Sequence, residues 1–133
     1  MPEPLEQEIR TLQALLWSER DPEGLAFATL ADAYLRAGRK KQALDLLEDG
    51  TARHPSFASG HIVAMRLYQG QGMLGEAELA ARRVLELDSQ NVVALVSLEA
   101  ILREQDRVVE AEDRKSTRLN SSHSQQSRMP SSA

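Results

Sequence analysis

The chain has 133 residues, of which 41% are hydrophobic and 27% are charged, and its formal net charge is −4. These values are typical of one soluble domain. The absence of cysteine excludes disulfides and thiolate metal sites. No apolar stretch approaches the roughly 18 residues needed to cross a bilayer. The first ten residues lack a basic segment followed by an apolar run, so no secretory signal is visible and we expect a cytoplasmic protein.

The first predicted element is a helix over residues 4–18. Its apolar residues recur at helical spacing: Leu5, Ile9, Leu12, Leu15 and Leu16. We expect this helix, within residues 1–20, to cover the N-terminal end of the helices that follow. Trp17 lies in its last turn, either as a packing anchor or as an exposed recognition aromatic.

Residues 24–57 carry a pattern that returns at a fixed spacing along the chain. The repeated positions, all separated by the same interval, are Tyr34 and Tyr68, Gly38 and Gly72, and Ala43, Ala77 and Ala111. A fixed period of roughly 20 to 50 residues is typical of stacked-repeat proteins. The sequence therefore predicts a repeated structural unit, with Gly38 and Gly72 ending the first helix of two successive units.

The pattern within each unit predicts two short helices joined by a tight turn. Asp21-Pro22 fits an N-cap followed by proline, ahead of a helix at about 23–37. The remaining helices are predicted at about 40–53, 57–70, 74–87 and 91–104, with another starting near 107. Ala43 and Ala77 suit the points where paired helices cross, because axes about 8–10 Å apart leave little room for side chains.

These units resemble the tetratricopeptide repeat. The first unit matches at Phe27, Leu30, Ala31, Tyr34, Gly38, Ala43, Leu47 and Pro55. The second unit departs at His61 and Ser89, where the family has a large apolar residue and proline, and the third has Asp106 in place of glycine. The resemblance implies an all-α fold, a tetratricopeptide-like α-solenoid of antiparallel helical hairpins wound into a right-handed superhelix. Within residues 21–112 the repeats would span about 24–57, 58–91 and 92–112, the last one truncated.

From Asp113 the sequence changes character, because it becomes rich in serine and loses its apolar period. The segments DRKSTRLNSSH and SRMPSSA resemble the in-frame translation of the two ends of a sequencing adapter. We therefore expect residues 113–133 to be a disordered, non-native tail, and the native protein to continue past about residue 112. The alternative is a disordered segment that binds nucleic acid or is phosphorylated.

The basic residues of the tail offset part of the negative charge of residues 1–113. Residues 114–133 hold four of the 16 basic residues and none of the 20 acidic ones, so residues 1–113 contain 12 basic and 20 acidic residues, a net charge of −8. This balance argues against nucleic acid as a partner. A truncated third unit is also expected to expose an apolar patch, through which copies associate: Val93, Val96, Leu98 and Leu102.

The sequence offers no catalytic constellation. His54 precedes proline at a helix end, where a cation interacts favourably with the helix dipole. His61 is either a packing residue with a satisfied ring or a ligand contact. No pair of histidines has metal-ligand spacing, and Gly70-Gln71-Gly72 lacks the strand and the lysine of a phosphate loop. We predict no enzyme activity, no metal and no cofactor.

The resemblance instead implies a concave groove, lined by the first helix of each hairpin, that takes a peptide or a partner helix. The groove columns fall on Leu25, Ala28, Asp32, Arg36, Ser59, Ile62, Arg66, Gln69, Val96 and Arg103. The three arginines either grip carboxylates of a partner or pair with local acids such as Asp32. The predicted function is non-catalytic binding of a protein or peptide, with no nucleic acid and no membrane. The alternatives are a self-association or spacer module, and an accessory repeat region of a longer protein whose effector domain is missing.

Overall fold

The computed structural model describes residues 3–16, 18–21 and 23–128, and of residues 115–128 the backbone alone. Within these residues the protein is all-α, as predicted, and contains no strand. The six helices are α1 (Pro4–Leu15), α2 (Phe27–Arg36), α3 (Lys40–Arg53), α4 (Ala58–Gly70), α5 (Leu74–Leu87) and α6 (Val92–Arg128). The chain divides into two units, Met1–Ile101 and Leu102–Ala133.

The turns α2–α3 and α4–α5 have the same hydrogen bonds at equivalent positions of the repeat. In the first turn, the N–H of Arg39 donates to Tyr34 O at 2.8 Å and the N–H of Gly38 donates to Leu35 O at 3.0 Å. In the second, Met73 donates to Tyr68 O at 2.9 Å and Gly72 donates to Gln69 O at 3.2 Å. This pair of bonds is the Schellman motif, which needs a left-handed residue. Gly38 and Gly72 supply it, with φ of 78° and 74°.

The helices α3 and α5 have the same length and begin at equivalent positions of the repeat. The helices α3 and α5 both contain 14 residues, and their first residues, Lys40 and Leu74, have the same separation as Gly38 and Gly72. Ala43 and Ala77, which occupy the same position in these helices, are both fully buried. Small residues therefore occupy equivalent buried positions in both helices, and their location at the crossing points stays a prediction.

Two helix boundaries differ from the prediction. The helix expected at about 23–37 begins only at Phe27, because Gly24 has a φ of 74°, which a right-handed helix does not allow. Asp21 still satisfies backbone donors, since its carboxylate accepts from the N–H groups of Leu25 and Ala26 at 2.8 and 3.0 Å. The first helix ends at Leu15 and not at Ser18. Pro22 and Trp17, to which roles were given from the sequence, lie outside the described residues.

The prediction of a helix break between residues 104 and 107 was wrong. The helix α6 runs without interruption from Val92 to Arg128. Asp106 occupies the position that corresponds to Gly72 in the repeat, and an aspartate enters the left-handed conformation only at a cost of roughly 1–2 kcal/mol. No glycine or proline occurs between residue 92 and Pro130, so nothing in the sequence ends the helix. The structure continues α6 through residues 113–128, where the sequence predicted a disordered tail, and residues 129–133 lie outside its description.

The larger core of the first unit forms around Phe27, at the start of α2. Its ring lies against Gly50 of α3 and Gly60 of α4, so that a Cβ added to Gly50 would overlap the ring and one added to Gly60 would lie 2.7 Å from Cζ. His54 stacks on the ring with centroids 6.0 Å apart, and Phe57 meets it at 5.8 Å in an edge-on arrangement. Because the first residue of α2 meets the end of α3, these two helices run antiparallel.

A second core cluster joins α4, α5 and the first three turns of α6. Met65 of α4 and Ile101 of α6 are fully buried, and they pack with Ala77, Ala80 and Ala81 of α5. The small residues therefore lie on the middle helix, where they allow the larger side chains on either side to approach each other.

Several apolar residues of α6 are exposed. Val93 is 41% exposed, Val96 61% and Leu102 36%, as predicted for the apolar patch. Leu98 was wrongly included in that patch, because it is half-buried and packs against the Met65 cluster. Among the described residues, no helix combines the length and hydrophobicity of a membrane span.

We predict that Gly50→Ala destabilises the protein by about 1–3 kcal/mol, because the new methyl group would displace the Phe27 ring from a packed core. Urea unfolding followed by circular dichroism measures the change.

Gly75→Ala is the matched control, because a Cβ at Gly75 of α5 meets no atom within 4 Å. This substitution is expected to change the stability by less than about 0.5 kcal/mol, because Gly75 is an exposed residue in the first turn of α5. Equal effects of the two substitutions would contradict the proposed contact of Gly50 with Phe27.

Candidate functional site

A pocket of about 240 Å³ lies between α2 and α4 and brings together half of the predicted groove residues. Residues 28 and 32 are one helical turn apart on α2, and residues 59, 62 and 66 share one face of α4. The lining residues are Ala28, Thr29, Asp32, Ser59, Ile62, Val63 and Arg66. Five of these seven were predicted from the sequence, namely Ala28, Asp32, Ser59, Ile62 and Arg66.

The floor of this pocket is apolar and its rim is polar. Ala28 and Val63 are buried, with 4% and 7% of their surface exposed. The side chain of Arg66 is 52% exposed, and its Nη1 lies 3.9 Å from Asp32 Oδ1. That separation exceeds hydrogen-bond length. Within the part of the chain that the structure describes, the Arg66 guanidinium has this ion pair and no hydrogen bond, so its donors are available to a ligand.

Arg36 has a different environment from Arg66. Its two Nη groups donate to the two carboxylate oxygens of Glu8 in α1, at 3.1 and 2.6 Å, and its Nε donates to Asp32 Oδ2 at 3.2 Å. A bidentate pair of this kind is stronger and more directional than a single bond. Arg36 therefore connects α1 to α2, and of the two readings made from the sequence, this contact with local acids is the one that the geometry contains.

The same contact perturbs both partners. The hydrogen bonds from Arg36 hold the pKa of Glu8 below its ordinary value of 4.5, against a smaller opposing effect of burial. The bonds to Glu8 likewise raise the pKa of Arg36. Both side chains are well exposed to solvent, so the screened interaction is expected to contribute little to stability.

The other predicted residues lie away from the pocket. Leu25 is half-buried in the turn before α2, and its N–H donates to Asp21. Gln69 is half-buried near the end of α4, and Val96 is exposed on α6. Arg103 is an exposed residue of the second unit.

Thr29 and Val63 line the pocket but were not predicted. Both directly follow a predicted lining residue in the sequence, Ala28 and Ile62. A column of single repeat positions does not include such neighbours, although a groove between two helices is wide enough to reach two adjacent residues on each. The predicted columns therefore lie beside Thr29 and Val63, but they are narrower than the groove that both helices line.

His54 and His61 have structural partners. The Nε2–H of His61 donates to Pro55 O at 2.8 Å, and the Nη2 of Arg83 donates to the same carbonyl at 3.2 Å. His54 stacks on Phe27. No group of three or more metal-ligating side chains occurs among the residues whose placement is described.

Comparison with known proteins adds no family. No protein-family model matches this chain, and no curated protein is significantly similar to it.

The pair between Glu8 and Arg36 predicts a small dependence of stability on pH. The pKa of Glu8 is lowered in the folded protein, so its contribution is present above pH 4.5 and is lost as the pH falls through the folded value. We expect Glu8→Gln to lower the stability at pH 7 and to have a smaller effect at pH 2. Urea unfolding at both pH values measures the difference.

Glu23→Gln serves as the control, because Glu23 is exposed and makes no ion pair with any described residue. A larger loss for Glu23→Gln than for Glu8→Gln at pH 7 would count against the pair.

Proposed function

We propose that this chain is a tetratricopeptide-like stack of antiparallel hairpins, wound as a right-handed superhelix, whose function is non-catalytic binding of a peptide or a partner helix. The repeat that relates Tyr34 to Tyr68 supports this proposal. It appears in two Schellman turns with glycine at the left-handed position and in two helices of equal length. In a stack of this kind, each hairpin buries its apolar face against its neighbour and leaves one face of the first helices open.

The pocket between α2 and α4 is the observation on which the proposed function rests. In the proposed stack these helices are the first helices of two successive hairpins, and their facing side chains are the predicted groove columns. A cleft with an apolar floor and a few polar groups at its rim is the usual form of a binding site. The pocket is small, so it fits one side chain of an extended segment and not a whole ligand.

The polar groups of the pocket indicate the chemistry of that segment. Arg66 offers guanidinium donors that make no hydrogen bond to the described residues, and Ser59 and Thr29 offer hydroxyl groups beside it. Asp32 is already engaged by Arg36. We propose a partner that places a carboxylate near Arg66 and a small apolar group over Ala28 and Ile62.

The experiment selects peptides on the immobilised protein from a random library and measures their affinity by fluorescence anisotropy. We expect Arg66→Glu to weaken binding at least tenfold, because it replaces a carboxylate-binding donor with a group that repels the carboxylate of the peptide. Amide shifts in NMR spectra should map the peptide onto residues 28–32 and 59–66.

Arg82→Glu is the matched control, because Arg82 of α5 is also 52% exposed in its side chain and pairs with an acid one turn away, Glu78. This variant changes the net charge equally and should bind normally. Peptides whose shifts map elsewhere, or equal loss in both variants, would contradict the proposed site.

A second candidate function is self-association, and the exposed apolar residues of α6 support it. Val92 is 69% exposed and Val96 61%, and Leu79 of α5 is 71% exposed. Clusters of exposed aliphatic residues often mark contact surfaces. Light scattering after size-exclusion chromatography separates the two functions, since self-association predicts a dimer that Val92→Glu with Val96→Glu converts to monomer. The cytoplasmic location and the role as an accessory region of a longer protein stay predictions.

A further inference from the structure

A second pocket, of about 230 Å³, lies on a different part of the first unit. It is formed by the start of α3, the end of α4 and the turn that follows α4. Its lining residues are the largely apolar Leu44, Leu67, Tyr68 and Met73 and the polar Lys40, Lys41 and Gln71. None of these residues lines the pocket between α2 and α4.

The distribution of lysine in the sequence points to this pocket. The chain contains three lysines, and the two that precede residue 115 are Lys40 and Lys41. The other basic side chains of residues 1–114, histidine apart, are arginines, and most of these arginines pair with acids inside the protein. The two lysines that precede residue 115 therefore line one cavity.

Neither ammonium group has a partner among the described residues. Arg39, the residue before them, pairs with Glu6 of α1 and so contacts α1. Lys40 and Lys41 are exposed and make no ion pair or hydrogen bond with the side chains that the structure describes. Burial, and after it the charges of Glu48 and Glu76, raise the pKa of the Tyr68 hydroxyl.

The position of these lysines is unfavourable for the folded protein itself. They are the first two residues of α3, where the partial positive charge of the helix repels cations. No acidic residue lies in the first turn of α3, and no side chain caps it. Violations of local preference without a compensating contact are expected where a residue serves a function.

We infer that this pocket binds a small organic anion, with its anionic oxygens between Lys40 and Lys41 and its apolar body against Leu44, Leu67 and Met73. Two ammonium groups complement a phosphate or a carboxylate. The apolar wall favours a ligand with a ring or a branched chain over an inorganic ion, because covering that wall removes apolar surface from water. Tyr68 and Gln71, whose side chains carry hydrogen-bond donors, line the same cavity. The inference is independent of the proposed peptide site.

The test is a titration of the full chain with phenyl phosphate and with phenylacetate, followed by amide shifts in NMR spectra. We expect saturable shifts at Leu44, Gln71 and Met73 with a dissociation constant on the order of 1 mM for at least one of the two anions. The anion that binds more tightly identifies the preferred headgroup. Inorganic phosphate and neutral benzyl alcohol should each bind at least tenfold more weakly.

The double variant Lys40→Gln with Lys41→Gln should weaken binding about tenfold. It should also raise the melting temperature by roughly 2–5 °C, because it removes two cations from the positive end of α3. Lys40→Arg with Lys41→Arg keeps the charges and should retain binding. Arg82→Gln with Arg107→Gln removes two charges outside the pocket and should leave binding unchanged.

Several outcomes would overturn the inference. These are an absence of saturable shifts with both anions, equal binding of inorganic phosphate, and unchanged binding in the double glutamine variant. A loss of peptide binding at Arg66 has no bearing on these measurements, because the two experiments follow different residues.

Discussion

The packing of Phe27 between two glycines is the contact on which the first unit depends. Phe27 begins α2, Gly50 lies near the end of α3 and Gly60 near the start of α4, so one ring joins three helices. The absence of a side chain at both glycines lets the ring lie directly against backbone. Dense packing of this kind tolerates little change of volume. It also fixes the separation of α2 and α4, and with it the width of the pocket between them.

Arginine and lysine have separate roles in this protein. Arg36 and Arg39 tie α1 to the first hairpin through Glu8 and Glu6, which are 28 and 33 residues away. The planar guanidinium suits such bidentate contacts, whereas an ammonium group is a compact point charge. The two lysines contribute no such contact and lie at the end of a helix that disfavours them. Lys40 and Lys41 are therefore more informative about function than the arginines that pair with acids inside the protein.

Asp106 lies where the earlier units have glycine, and α6 continues through this position. Gly38 and Gly72 each let the chain reverse after the first helix of a hairpin, and Asp106 does not. Because α6 continues as a single helix, no second helix of the described chain folds back to cover its exposed apolar residues. The exposed valines at 92 and 96 are the structural basis for considering self-association.

The sequence by itself determined the all-α class, the bounds of α3 and α5, and the two turns at Gly38 and Gly72, because helix periodicity and left-handed turns are set by residues close together in the chain. Five of the seven residues that line the pocket between α2 and α4 were predicted, from the groove columns that the resemblance implies. Tertiary structure alone decided that Arg36 binds Glu8, that Phe27 fills the gap between Gly50 and Gly60, and that Lys40 and Lys41 adjoin Tyr68. Those contacts join residues that are distant in the chain, and the pattern along one helix does not say which residue of another helix will face it.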